Sequence, residues 1–165
     1  MKLVRPAPEW EREHRSYIDE WGPARLVPSS FNIEPFSNYG EYLENLSQIE
    51  KGTDKWVPAT NYFLVENGRV LGMMNIRHEL TDFLLNVGGH IGYSVRPAER
   101  KKGYASMMLA EGLKVCNELN VRRVLVTCDK ENIGSAKVIL NNGGVEDRSF
   151  TEQDGTVTRR FWIDI

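Results

Sequence analysis

The segment Gly89-His90-Ile91-Gly92-Tyr93-Ser94-Val95-Arg96-Pro97-Ala98-Glu99-Arg100-Lys101-Lys102-Gly103-Tyr104-Ala105 holds the residue types best suited to chemistry. An apolar run stops at a proline, a short basic loop follows, and a glycine opens into a long amphipathic stretch. The first N–H groups of a helix lack intrahelical acceptors and lie at the positive end of its dipole, so such a junction attracts anions. Gly103 and Ala105 keep side chains small near that backbone, and Arg100, Lys101 and Lys102 add positive charge. A diphosphate suits this cradle. The plain alternative is a solvated basic loop in which Gly103 only permits a turn. Two other phosphate-binding patterns are missing: Gly-x4-Gly-Lys-Ser/Thr, and Gly-x-Gly-x-x-Gly after the first strand.

Periodicity gives the elements that must position this segment. Leu3 and Val4 predict a short strand stopped by Pro6 and Pro8. Trp10, His14, Tyr17, Ile18 and Trp21 recur at helical spacing, and Gly22-Pro23 ends that helix. Residues 22–37 carry prolines and serines without a period and read as a long loop. Tyr39, Tyr42, Leu43, Leu46 and Ile49 predict a second amphipathic helix. From residue 60 the period changes to that of strands. Tyr62 to Glu66 and Val70 to Arg77 flank Asn67-Gly68, a strong hairpin signal.

Gly89 to Val95 reads as a third strand of this group. Ala105, Met108, Leu109, Gly112, Cys116 and Leu119 form one helical stripe, and Val121 to Cys128 a buried strand. Asn132 is placed to cap a short helix running to about Asn142, ended by Gly143-Gly144. Val145 to Phe150 and Val157 to Ile163 flank Asp154-Gly155 as a closing hairpin. Hairpins followed by strand-helix-strand crossovers imply an α/β (α+β) fold with a mixed sheet and about four helices on its faces.

The chain has 165 residues, 41% of them hydrophobic, so residues 1–165 are read as a single domain with a real core. A net charge of -2 gives no global field for nucleic acid or an anionic membrane. Arg100 to Lys102 with Arg122-Arg123 make no basic face and no recognised nucleic-acid motif. Cys116 and Cys128 make neither a disulfide framework nor a metal site, and no metal is expected. No signal-like leader or membrane-length apolar run is present, so a cytoplasmic location is the expectation.

Arg100-Lys101-Lys102-Gly103-Tyr104-Ala105 resembles the Gln/Arg-x-x-Gly-x-Gly/Ala signature of the GNAT family of N-acetyltransferases. Ile91 to Pro97 looks like the family's fourth strand. Asn132-Ile133-Gly134-Ser135 followed by Gly143 resembles its second conserved block, and the element order is similar over nearly the whole chain. The resemblance implies a splayed, mostly antiparallel seven-stranded sheet and acetyl-coenzyme A as cofactor. It also implies direct acetyl transfer to a primary amine of a small molecule or peptide. By similarity, backbone amides of residues 100–105 (Arg100, Lys101, Lys102, Gly103, Tyr104 and Ala105) hold the coenzyme's pyrophosphate. Main chain of Tyr93, Ser94 and Val95 meets the pantetheine arm. Asn132 either contacts the cofactor, braces the splay or only caps its helix; Ser135 is a cofactor contact or a first-turn residue.

His90 is the candidate base, standing where many relatives with a similar strand carry a glutamate. An ordinary imidazole pKa of about 6.5 suits proton removal near neutrality. The alternative is a structural histidine bonded to a neighbour. The tyrosine acid of many relatives, seven residues after the asparagine, is here Ile139, so that role does not carry over. A non-catalytic acyl-coenzyme A binding module is therefore the rival reading.

His78 and Glu79 are candidates for reading the substrate or merely a polar strand end. Cys128 is an acyl-enzyme candidate or a buried small hydrophobe. Trp10, Tyr17, Trp21, Phe31 and Tyr39 are core or acceptor-facing, and Asp19, Glu20, Glu34, Glu41 and Glu44 are a conceivable acidic entrance. The family's habits make the terminal hairpin a candidate homodimer contact. The acceptor itself stays open.

Overall fold

The computed structural model describes all 165 residues. Strand β1 (Lys2–Val4) leads through a 3-10 turn into α1 (Glu11–Trp21) and then α2 (Tyr39–Glu50). Next come β2 (Ala59–Glu66), β3 (Arg69–Arg77), α3 (Asp82–Asn86), β4 (Ile91–Val95) and α4 (Tyr104–Glu118). The chain closes with β5 (Arg123–Asp129), α5 (Ile133–Asn141), β6 (Val145–Thr151) and β7 (Val157–Asp164). All seven strands join one open sheet in the order β1-β2-β3-β4-β5-β7-β6. Every neighbouring pair is antiparallel except β4 and β5, which α4 connects as a crossover.

The expected mixed sheet is present, with five helices rather than about four. The additional one, α3, spans only five residues, too short to display a helical period. Its mark in the sequence is Thr81, whose Oγ1 caps the helix by accepting from Leu84 N–H at 3.2 Å. Around Asn67-Gly68 the backbone takes φ of 49° and 76°, as a tight hairpin turn between β2 and β3 requires.

Alternation along the strands sorts side chains between two cores. Leu64, Met74, Ile76, Ile91, Val95, Val124, Val126 and Phe161 pack with Met108, Leu109 and Cys116 of α4 and Ile139 of α5. On the opposite face Phe63, Val65, Val70 and Met73 pack with Tyr17 and Phe31. His14 is fully buried among these aromatics, its ring centroid 5.0 Å from that of Phe63. Burial pushes its pKa down to about 4, so the ring is neutral near pH 7. Its Nε2 donates to the Phe31 carbonyl at 2.9 Å, and its Nδ1 then accepts from the Tyr39 hydroxyl at 3.1 Å. Tyr17, Phe31 and Tyr39 are thus core residues, while Trp10 and Trp21 stay half-buried.

Helix α1 is tied to the end of β4 by ionic contacts. The Arg96 side chain is only 4% exposed and bonds Glu20 at 2.7 Å and Glu13 at 3.1 Å. Glu20 also accepts from Ala98 N–H at 2.7 Å. This corrects the acidic-entrance expectation at Glu20, whose carboxylate is spent holding α1 to the sheet. No helix is long and apolar enough to cross a membrane.

Candidate active site

The parallel strands β4 and β5 pair at a single register position, Ile91 with Val126. Just before it, His90 N–H donates to the Leu125 carbonyl at 2.8 Å, and Leu125 N–H donates to His90 Nδ1 at 2.9 Å. Beyond Ile91 the ladder stops and a gap opens toward the N-terminus of α4. Alternation decides which main-chain groups face that gap. Arg77 N–H donates to the His90 carbonyl and Arg96 N–H to the Leu71 carbonyl, so beyond His90 the even-numbered Gly92 and Ser94 turn their main-chain groups toward β3. Tyr93 and Val95 therefore point their N–H and C=O groups into the gap. Ser94 does not, which departs from the expected trio. Its hydroxyl instead meets Tyr17 Oη at 2.9 Å on the α1 side.

At the mouth of the gap the basic loop turns into α4, with φ of 63° at Lys101 and 85° at Gly103. The second is a left-handed conformation that glycine adopts without the Cβ penalty. The N-termini of α2, α3 and α5 are closed by the side chains of Asn38, Thr81 and Asn132; that of α4 has no side-chain cap. The main-chain N–H groups from Lys101 to Ser106, including Lys102, Gly103, Tyr104 and Ala105, have no protein acceptor. Unpaired donors converging at the positive end of a 15-residue helix fit an anion such as a pyrophosphate.

The basic side chains are less available than their number suggests. Lys102 Nζ bonds Glu99 at 2.8 Å, and Glu99 also meets Arg69 at 3.2 Å. Arg100 lies over the Trp21 ring at 5.0 Å and donates from Nε to the Val95 carbonyl at 3.3 Å. Lys101 alone of the three has no such contact. The cradle is chiefly backbone.

The second block braces the far side of the gap. Asn132 Oδ1 accepts from Ser135 N–H at 3.0 Å, the cap geometry, and Ser135 Oγ meets Tyr93 Oη at 2.8 Å. Ser135 thereby links α5 to β4, while Asn132 caps its own helix. Burial pushes the Tyr93 hydroxyl up to about 12, so it stays protonated near neutrality.

His90 does not have the geometry expected of a base. Burial, aided by the nearby Arg77 charge, lowers its pKa to about 4. Accepting from Leu125 N–H occupies the lone pair on Nδ1 and leaves the proton on Nε2. The ring clasps β4 to β5 and has no vacant site for a proton from substrate.

Ile139 is fully buried in the core. Cys128 is nearly buried, and burial raises its thiol pKa, which makes it a poor nucleophile. His78 Nε2 meets Thr60 Oγ1 at 2.9 Å and Glu79 is exposed, in keeping with a polar strand end. The residue that sequence reasoning passed over is Arg77. Its partners are carbonyls eleven and twelve residues away, and no local pattern announces them.

A family model for the acetyltransferase (GNAT) domain matches residues 14–145. The chain belongs to the GNAT acetyltransferase family, and is an acyltransferase by that membership. Curated protein sequences contain no match. Among solved structures it is similar to RimL, a ribosomal L7/L12 α-N-protein acetyltransferase in complex with coenzyme A. That likeness has a TM-score of 0.71 at 13% identity, covering 100% of this chain and 95% of that one. Mycobacterium smegmatis RimJ, in complex with a coenzyme A disulfide, matches with a TM-score of 0.70 at 17% identity over 98% and 80% of the two chains. A Vibrio cholerae spermidine N-acetyltransferase SpeG variant gives 0.67 at 14% identity over 99% and 95%. At such identities the likeness speaks to the fold.

Proposed function

We propose that this chain moves an acetyl group from acetyl-coenzyme A to a primary amine of a small molecule or peptide by direct transfer. The observation that carries the reading is the run of unpartnered amides from Lys101 to Ser106 at the mouth of the β4–β5 gap. In this reading the amides hold the pyrophosphate, and the main chain of Tyr93 and Val95 pairs with the pantetheine arm. Acetyl-coenzyme A supplies a thioester already activated for attack. The protein's own part is to align the amine with it, exclude bulk water and offer N–H groups to developing negative charge. Neither His90 nor Ile139 is arranged to move a proton, and in this reading water takes the proton from the amine. An α-amino group, with a pKa near 8, is neutral often enough for this at physiological pH.

The test is thiol release from acetyl-coenzyme A in the presence of an amine panel. The panel spans polyamines and peptides with free N-termini, acceptors of the kinds named for SpeG and RimL, together with amino acids. Acceptor-dependent release with mass-verified acetylation supports transfer.

The occupied lone pair of His90 favours one second reading, an acyl-coenzyme A binding module without turnover. Tight coenzyme A binding by calorimetry, with no acetylated product across the panel, would establish that reading instead.

A further inference from the structure

Four arginines are not freely exposed: Arg77, Arg96, Arg159 and Arg160. Arg96 pairs with Glu13 and Glu20, Arg159 with Glu146, and Arg160 with Asp147. Arg77 has no carboxylate. Burial alone shifts its pKa, downward, with no acid to offset it. Its Nη1 donates to the Gly88 and Gly89 carbonyls at 3.1 and 3.0 Å. Its Nε and Nη2 bond nothing in the protein, yet neither is sealed from solvent. Half a guanidinium fork is held rigidly and half is left open.

The open half lies beside the gap. Arg77 ends β3, and its N–H pairs with the His90 carbonyl at the closed end of the β4–β5 opening. A Cβ built on Gly92 would lie 3.6 Å from Pro28 Cγ and 3.9 Å from Arg77 Nη1. Gly92, like Ser94, faces the α1 side of the sheet, opposite α4. The guanidinium thus sits on that face, next to the first residues of the gap and under the loop that follows α1. Two residues back along β3, Asn75 is buried on the same face and donates to Asn61 Oδ1 at 2.8 Å. Asn75 is satisfied by Asn61, whereas the Arg77 guanidinium has no carboxylate partner.

We propose that the amine acceptor carries a carboxylate, and that Arg77 binds it through Nε and Nη2. The inference rests on the acetyl-transfer reading and narrows its substrate to amino-acid-like amines. An arginine fork matches a carboxylate in two parallel hydrogen bonds. Leaving a partly desolvated cation unpaired is costly, and an anionic ligand removes that cost on binding. The same fixed charge repels a second ammonium group, so polyamines are poor acceptors.

The experiment compares matched acceptors: ω-amino acids of increasing length and their carboxamides, with native protein, Arg77→Met and Arg77→Lys. For the best length, KM of the acid is expected to be about tenfold or more below that of the amide. Arg77→Met should raise KM of the acid about tenfold more than that of the amide, with kcat changed little, and Arg77→Lys should recover part of the difference. Equal KM for acid and amide in the native protein overturns the inference while leaving amine acetylation intact. So does an equal rise for both in Arg77→Met, the mark of a residue that only clasps the Gly88-Gly89 turn. If coenzyme A binds but no amine is acetylated, the transfer reading fails. Carboxylate docking is then read by saturation-transfer NMR with N-acetyl amino acids on the coenzyme A complex. A signal lost in Arg77→Met upholds the docking site, and no signal overturns it.

Discussion

Leu125 donates its main-chain N–H to His90 Nδ1 at 2.9 Å, while His90 donates its own N–H to the Leu125 carbonyl at 2.8 Å. This two-way clasp closes one end of the β4–β5 opening with a ring where a base was expected. Because the ring is neutral with its free lone pair occupied, its titration should not govern the reaction. A pH–rate profile of acetyl transfer is expected to show no limb between pH 5 and 8 that His90→Asn abolishes. A limb in that range that disappears in the variant would return His90 to the chemistry.

The same protonation argument predicts acid sensitivity of the fold. His14 and His90 both have folded pKa values near 4, against an ordinary 6.5. Between these values the unfolded chain binds more protons, so stability rises with pH there. It is complete above about pH 6.5 and lost progressively as pH falls toward 4, on the order of 3 kcal/mol for the fully buried His14 and less for His90. Urea denaturation at steps from pH 7 to 4 measures the loss, and His14→Gln should remove a large part of the slope, with His90 and His78 supplying the rest.

Gly103 separates crowding of the cradle from backbone strain. A Cβ there meets nothing within 4 Å, so it would project into the space beside the free amides. Gly103→Val is expected to weaken coenzyme A binding by about tenfold or more, with strain costing roughly 1–2 kcal/mol. Gly155 has nearly the same φ, 87°, and equally open surroundings in the terminal hairpin. Gly155→Val should show similar strain by thermal melting but unchanged binding by calorimetry.

Arg96 fastens α1 through Glu13, Glu20, Ser16 and the Val70 carbonyl. Arg96→Met leaves these acceptors without their donor and should cost about 3 kcal/mol in denaturant unfolding. A loss below about 0.5 kcal/mol, the size of an ordinary surface change, would show that α1 is held by its apolar contacts alone.

The buried Tyr42 hydroxyl makes no hydrogen bond of good geometry, because the Asn61 side chain beside it is already engaged by Ser30 and Asn75. Tyr42→Phe removes an unsatisfied polar atom and keeps the ring that packs against His14 at 5.4 Å between centroids. Stability is expected to rise by about 1 kcal/mol, seen as a higher Tm. A lower Tm would mean that the hydroxyl has a partner after all.

Local chemistry was legible from the residues. Apolar period, Asn67-Gly68, the Asn132 cap and the glycine opening α4 each act over a few neighbouring positions, so the strands, four helices and the glycine turn into α4 could be read off directly. What lay beyond reach were relationships between distant segments. The stacking of Arg100 on Trp21 and the contact of Glu99 with Arg69, added to the local pair of Lys102 with Glu99, turn a loop that looked electrostatic into one whose free groups are mainly backbone. His90 reads as a base until Leu125, 35 residues away, occupies its lone pair. Which of Tyr93, Ser94 and Val95 faces the gap depends on strand register, and a shift of one residue would reverse it. Arg77 acquires meaning only once folding sets it over Gly92 with no acid nearby. Charge, hydrogen-bond occupancy and facing are properties of neighbours in space, and those neighbours come from the packing of the whole sheet.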